Sequence, residues 1–258
     1  MIDWRPLDAA LDAVAADGGR AVVWWRDDDA VAHTPALDRL LALAARHRWP
    51  LALAAIPARV EPSLLPRLAA EPARLLVHGL AHRNHAPPGA KSAEFGDGRP
   101  LDRLTEEAAR ALALAGQGPW LPVLVPPWNR IALDLVPRLP GLGYRGLSAF
   151  GPRTVPVSDQ VPGFLQVNAH LDPVDWRGTR GLVDPGALAA RLAEAVGRRA
   201  GPVGLLTHHL VHDAAVWDFL ARLLDRLAVH PAVERADPAA IFEPKAIFGA
   251  GVAPPGER

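Results

Sequence analysis

The chain has no cysteine. That excludes disulfides, thiolate chemistry and cysteine-ligated zinc, and it is compatible with either redox compartment. It also has no excess of charge, since Lys+Arg and Asp+Glu are 28 each. Nothing in the electrostatics therefore calls for nucleic acid or an anionic membrane as partner. Lysine is nearly missing, at Lys91 and Lys245 only, which we read as genome composition bias rather than function. No run of about 18 apolar residues is free of charge, so no membrane span is expected. The opening segment MIDWRPLDAALDAVAADGGR alternates acids with apolar residues and lacks the hydrophobic centre of a signal peptide. The expectation is a soluble cytoplasmic protein; nothing indicates an oligomeric state.

Half of the 258 residues are hydrophobic, enough for a sizeable core, and the length suits a single α/β barrel. Apolar runs of strand length alternate with segments of helical period. Strands are predicted at 20–27, 50–56, 74–78, 120–125, 144–149, 164–170, 202–208 and near 232–236. Helices are predicted at 35–48, near 62–70, and at 101–115, 131–139, 185–199 and 213–229. Thr34 reads as the cap of the 35–48 helix and Pro35 as its first residue. Repeated β–α units argue for a mostly parallel sheet, and seven or eight strands in one domain suggest a closed or nearly closed barrel. A doubly wound open sheet is the alternative. One barrel domain is expected over residues 1–248, with a loose tail at 249–258. The long polar segment 83–100 has the character of a functional lid.

The candidate chemistry sits at strand ends. Asp27, Asp28 and Asp29 close the first strand; adjacent carboxylates raise each other's pKa unless a cation compensates, so the run invites a metal or a shared proton. Taken alone, it reads equally as a turn with a helix cap. His78 and His82, four residues apart, are spaced to face one point across a helical turn and to supply two metal ligands. The segment Val125-Pro126-Pro127-Trp128-Asn129-Arg130 follows another strand; its prolines fix an extended turn. Asp172-Pro-Val-Asp175-Trp176 and Leu205-Leu206-Thr207-His208-His209 close two more. A lone strand histidine is more often a core residue. In a parallel barrel, however, all five features fall on the carboxyl rim, where such folds build sites.

This order resembles the five motifs of the polysaccharide deacetylase superfamily, the chitin deacetylase-like esterases of carbohydrate esterase family 4. The likeness runs over residues 22–210. It implies a distorted (β/α)7 barrel and a metal-dependent hydrolase that removes an N-acyl group, N-acetyl above all, from a carbohydrate or a small amide. It implies one divalent ion, zinc by preference, with cobalt, nickel or manganese as alternatives. Counting back from Thr34-Pro35 makes Asp27 the general base and Asp28 the metal ligand with His78 and His82. A shift of one residue makes Asp29 the ligand and places Arg26 in an Arg-x-Asp-Asp pattern; the first register is preferred. His208 is then the general acid, held by Asp175, and Trp128, Asn129, Arg130 and Trp176 line the substrate. Three positions depart from the family. Val125 stands where the family has an arginine that orients the base, a charge left to Arg26 or Arg130. Asn129 replaces a glycine. Gly79 replaces a hydroxyl residue after the first histidine.

Overall fold

The structure is a computed structural model that describes residues 2–116, 119–152 and 163–243. The 249–258 tail lies outside the described residues. Among the described residues, nine strands form one parallel sheet: β1 Ala21–Ala30, β2 Leu51–Ala55, β3 Ala73–His78, β4 Trp120–Val125, β5 Gly146–Leu147, β6 Leu165–Gln166, β7 Ala169–Leu171, β8 Val203–Thr207 and β9 Val233–Arg235. The order is β6-β5-β4-β3-β2-β1-β8-β7, and β9 pairs with the start of β1. The central strands are buried on both faces, as parallel strands covered by crossover helices must be; all five residues of β2 are buried.

The two ends of this sheet, β6 and β7, are separated in the chain only by Val167 and Asn168. The sheet therefore curls round on itself. Phe150 pairs in parallel with Ala169. The Ala169 amide donates to the Ala149 carbonyl at 2.9 Å. Asn168 completes the seam, accepting from the Ala149 amide at 3.0 Å and donating to the Gly151 carbonyl at 2.9 Å. Counted as one broken strand, β6 and β7 complete seven strands around the ring. The fold is thus the expected distorted (β/α) barrel, not a doubly wound open sheet. Opposite the seam, β8 approaches β7 so closely that a Cβ on Gly204 would lie 2.7 Å from the Ala169 Cα.

Helices cover the outside: α1 Arg5–Ala16, α2 Pro35–Arg46, α3 Leu64–Leu68, α4 Leu101–Ala115, α5 Pro185–Gly197, α6 Ala214–Val229 and α7 Pro238–Ile241. The Thr34 hydroxyl caps α2 by accepting from the Leu37 amide at 3.1 Å. Helix α1 is absent from the sequence reading. Its acids punctuate a 3.6-residue period in which Leu7, Leu11 and Val14 are buried, and it packs against α5. The helix expected at 131–139 is a 3₁₀ segment, Leu133–Arg138, followed by a 3₁₀ turn, Pro140–Leu142. Pro137 and Pro140 each remove a backbone donor, which denies the segment a regular α-helical ladder.

β1 runs through the centre of the sheet, and its pleat sorts its side chains. Trp24 belongs to the barrel-interior cluster with Ala52, Leu76, Val123 and Val125. Val23 and Trp25 belong to the layer beneath α1, α2 and α6. Alternation then places Arg26 and Asp28 inward and Asp27 outward. At Asp29 the pairing with β2 slips by one residue and φ becomes 73°. This bulge breaks the alternation and turns Asp29 toward the interior rim as well.

The seam can be tested. Asn168→Ala leaves the Ala149 amide and the Gly151 carbonyl without their partner, and is expected to lower unfolding stability by about 2 kcal/mol in urea melts.

Candidate metal centre and its surroundings

Three side chains converge at the carboxyl end of the barrel. Asp29 Oδ1 lies 3.1 Å from His78 Nε2 and 3.2 Å from His82 Nε2. His78 ends β3 and is buried. Its Nδ1 faces the Val125 carbonyl at 3.0 Å. A carbonyl can only accept, so Nδ1 carries a proton and the neutral ring presents a lone pair at Nε2. That lone pair faces a carboxylate oxygen, an arrangement that a proton or a metal cation between them satisfies. Ligands about 2.0 Å from a tetrahedral ion stand about 3.3 Å apart, close to the separations found. Asp29, His78 and His82 therefore fit a divalent cation, and they are the one such group among the described residues. The preferred sequence assignment, Asp28 as ligand, gives way to Asp29 because the bulge, not the plain alternation, decides which carboxylate reaches the histidines.

The shifts of the three groups express the same demand. Burial opposes ionisation of Asp29, but the hydrogen bond and charge of His78 and the charge of His82 hold it well below the usual carboxylate range. Burial also disfavours a charged His78, yet Asp28 and Asp29 together push it up. His82 is pushed down by burial and by His78. The site holds one positive charge comfortably and a second poorly.

The histidines do not meet across a helical turn, as their spacing suggested. Residues 79–82 form an irregular turn in which Gly79 has φ 64° and His82 φ 54°. This turn is gripped by Glu94, a buried carboxylate that accepts from the amides of Leu80 (3.0 Å), Ala81 (2.9 Å) and Arg83 (3.2 Å). A Cβ on residue 79 would lie 2.0 Å from Glu94 Oε2. Gly79 is thus a glycine because a carboxylate occupies the space of its side chain. Glu94 carries no signal of its own in the sequence, where it sits within the polar 83–100 segment. That segment is less a lid than a wall: Phe95 is buried and pairs with Ile131, and Arg99 binds Glu107 with two hydrogen bonds of 2.7 Å.

Asp28 is also buried and faces Arg26 from the same strand. Arg26 Nε lies 2.9 Å from Asp28 Oδ1, and Nη2 donates to Oδ2 at 3.1 Å. Arg26 is fully buried. It donates further to Ser148 Oγ at 2.6 Å, the Ser148 and Ala149 carbonyls, and Asn129 Oδ1 at 2.7 Å. The charge missing at Val125 thus comes from Arg26. Arg130 instead donates to the Ser92 carbonyl at 2.6 Å. Asn129 and Trp128 both have φ 56°. Asn tolerates this region, whereas for Trp it costs about 1–2 kcal/mol. The strained turn lays the Trp128 ring on His82, centroids 4.3 Å apart, and directs Asn129 to Arg26 rather than to open space.

Asp27 points the other way. It is fully buried and accepts from Thr207 Oγ1 at 2.6 Å and from the His209 amide at 3.0 Å. Its Oδ1 also meets His209 Nδ1. Burial works against its charge, but His209 holds it below the usual range. Asp27 does not reach the metal group, which removes the geometry that a base at this position would need. On the far side of the centre, His208 Nδ1 lies 3.8 Å from Asp172 Oδ2, and the His208 ring meets Trp176 edge-on at 4.7 Å. Asp172 is itself held by the Val174 amide (2.9 Å) and Trp176 Nε1 (2.7 Å). Asp175, expected to hold His208, spends its carboxylate on the amides of Gly178 and Thr179, at 3.0 Å each, in a turn. The acid three residues earlier, Asp172, stands at the strand end and is the carboxylate that faces His208. A cavity of about 620 Å³ is lined by Asn129 and Arg130 together with His85, Lys91, Asp97 and Phe150; it is not lined by the metal ligands themselves.

Metal content distinguishes the three aspartates. His78→Ala, His82→Ala and Asp29→Asn are each expected to lose stoichiometric zinc in elemental analysis, while Asp28→Asn keeps it. Zinc affinity measured by competition with a chelator is expected to fall as pH drops. The proton that His78 binds with raised affinity competes for the same Nε2, so loading weakens on the acid side and is complete above the histidine range.

No protein-family model matches the sequence, and no curated protein sequence does. Solved structures do match in three dimensions. A polysaccharide deacetylase structure from Mycobacterium smegmatis superposes with TM-score 0.60 at 16% identity, covering 87% of this chain and 90% of that one. An allantoinase, PuuE, gives TM-score 0.59 at 13% identity over 89% and 91%. A family 4 carbohydrate esterase from Streptomyces lividans, in complex with acetate, gives 0.54 at 16% over 91% and 98%. At these identities the likeness is one of fold: the chain is built on the barrel that polysaccharide deacetylases and family 4 carbohydrate esterases share.

Proposed function

We propose that the protein is a metal-dependent hydrolase that removes an N-acyl group, N-acetyl in the first instance, from a carbohydrate or related amide. One observation carries this reading: a carboxylate and two imidazoles that fit a divalent cation stand with a buried, arginine-held carboxylate and a carboxylate-backed histidine near them. When bound, a divalent ion of the zinc type lowers the pKa of water and polarises a carbonyl. Zinc suits two histidines and one aspartate, and cobalt, nickel or manganese are the alternatives.

Asp28 is the proposed general base. Arg26 pairs with it and aims it, so that it can take a proton from the attacking water. The base therefore moves one residue from the position that the motif count preferred. His208 is the proposed general acid for the departing amine, with the Asp172 carboxylate 3.8 Å from its Nδ1. Trp128 against His82 and Trp176 against His208 supply apolar walls on which a sugar face or a flat amide can rest. Arg130 and the adjoining cavity accommodate the rest of the substrate, whereas Asn129 is spent on Arg26.

Hydrolysis of a smaller cyclic or linear amide is the second reading. It is favoured by the fold shared with an allantoinase and by a cavity with Leu133 and Phe150 among its walls. Among the described residues, no helix is long and apolar enough to cross a membrane. A binding protein without activity is disfavoured by the buried Arg26–Asp28 pair next to the metal group.

Zinc-loaded protein is expected to release acetate from N-acetylglucosamine oligomers or to open small amides, to lose this on chelation, and to regain it with zinc. No turnover of either class by metal-replete protein would reject the reading. Arg26→Met is expected to lower kcat by about 100-fold, the scale of one general base, with metal content unchanged. A loss of metal instead would place Arg26 in the ligand support rather than behind the base.

A further inference from the structure

The first aspartate and the second histidine of the two strand-end runs, Asp27 and His209, are unused by the chemistry above. Asp27 sits opposite Thr207 in the β1–β8 ladder. Its carboxylate receives three bonds from the tip of β8: the Thr207 hydroxyl, the His209 amide and the His209 ring. Thr207 is anchored in turn, since it also accepts from Trp25 Nε1 at 2.8 Å. Between the two gripped residues lies His208. Its own amide donates to His212 Nε2 at 3.1 Å, and His209–Val211 then winds into a 3₁₀ turn. The backbone on both sides of His208 is therefore fixed from the helix-facing side of the sheet, while its ring emerges beside Asp172 and Trp176.

We propose that Asp27 is a positioning residue for His208: with His209 it clamps the end of β8 so that the His208 imidazole stays on Asp172 and over the metal centre. Nothing else holds the ring tightly. Asp172 stands at 3.8 Å, beyond hydrogen-bond distance, and Trp176 contributes only an edge contact. A side chain so loosely tethered takes its place from its backbone. A one-residue slip or a twist at residue 207 would swing the ring to the other face of the strand. The clamp also accounts for the composition of the two runs, since an Asp-Asp pair and one histidine would serve the metal, base and acid.

The inference rests on His208 as the acid, and the test separates the two. In Asp27→Asn, and in His209→Leu, a crystal structure is expected to find the His208 ring displaced from Asp172 and Trp176, with zinc still stoichiometric. Deacetylation of an N-acetylglucosamine oligomer, whose amine must be protonated to leave, is expected to fall by about 100-fold. Hydrolysis of p-nitrophenyl acetate, whose leaving group needs no proton, is expected to change by less than about threefold. His209→Asn, whose amide can donate near the place of Nδ1, is expected to restore both the ring position and the deacetylation. A His208 ring that stays in place in Asp27→Asn or His209→Leu overturns the proposal, as does an equal loss on both substrates. His208→Ala serves as the reference. If it loses the amide reaction selectively and Asp27→Asn does not, the clamp alone fails. If it loses both reactions or neither, the acid role of His208 fails and takes the clamp with it. Should Asp27→Asn not fold, the His209 pair decides.

Discussion

Three neighbouring carboxylates at the end of a central strand cannot all remain ionised in a protein interior unless each has its own cation. Much of the site follows from how this chain meets that demand. Asp27 is matched by His209 on the outer face of the sheet. Asp28 is matched by Arg26 on the inner face. Asp29 is matched by the two imidazoles and, on our reading, by the ion between them. The pleat of β1 and the bulge at Asp29 send the three charges in three directions, so that their cations need not compete.

Arg26 carries a second consequence. A fully buried guanidinium is tolerable only when most of its donors are met; here Nη1 and Nη2 are met by Asp28, Asn129, Ser148 and Ala149, and Nε faces Asp28 Oδ1 at 2.9 Å. Those acceptors come from the ends of β1, β4 and β5. The same group that orients a carboxylate therefore ties three strand ends into one rim. The unusual backbone at Trp128 and Asn129 serves this arrangement: a strain of about 1–2 kcal/mol is small beside the several kcal/mol at stake when a buried charge loses a partner.

Two departures from the deacetylase pattern resolve as exchanges of position. The guanidinium absent at residue 125 is supplied from residue 26, two residues before the carboxylate it holds. The polar group absent at residue 79 is supplied by Glu94, whose carboxylate fills the space left by the missing side chain and binds three amides of the turn that carries His82. Function at such a rim depends on where a charge ends up rather than on which strand brings it.

The alternation of apolar runs and helical periods was enough for the parallel barrel, and residue type and order placed the acid run, the histidines and the proline turn at or just past strand ends. The pair His78 and His82, the acid run and His208 were all legible, because residue type and position at a strand end are local properties. The sequence did not determine the division of labour among Asp27, Asp28 and Asp29. A one-residue bulge reverses which side chains face inward, and no residue type announces it. Nor did it identify Asp172 over Asp175, since three residues of turn decide which carboxylate stays at the strand end. Glu94 and the partnership of Asp27 with His209 required the tertiary structure, because each joins segments whose proximity is set by the closing of the sheet and not by any pattern within the segment itself.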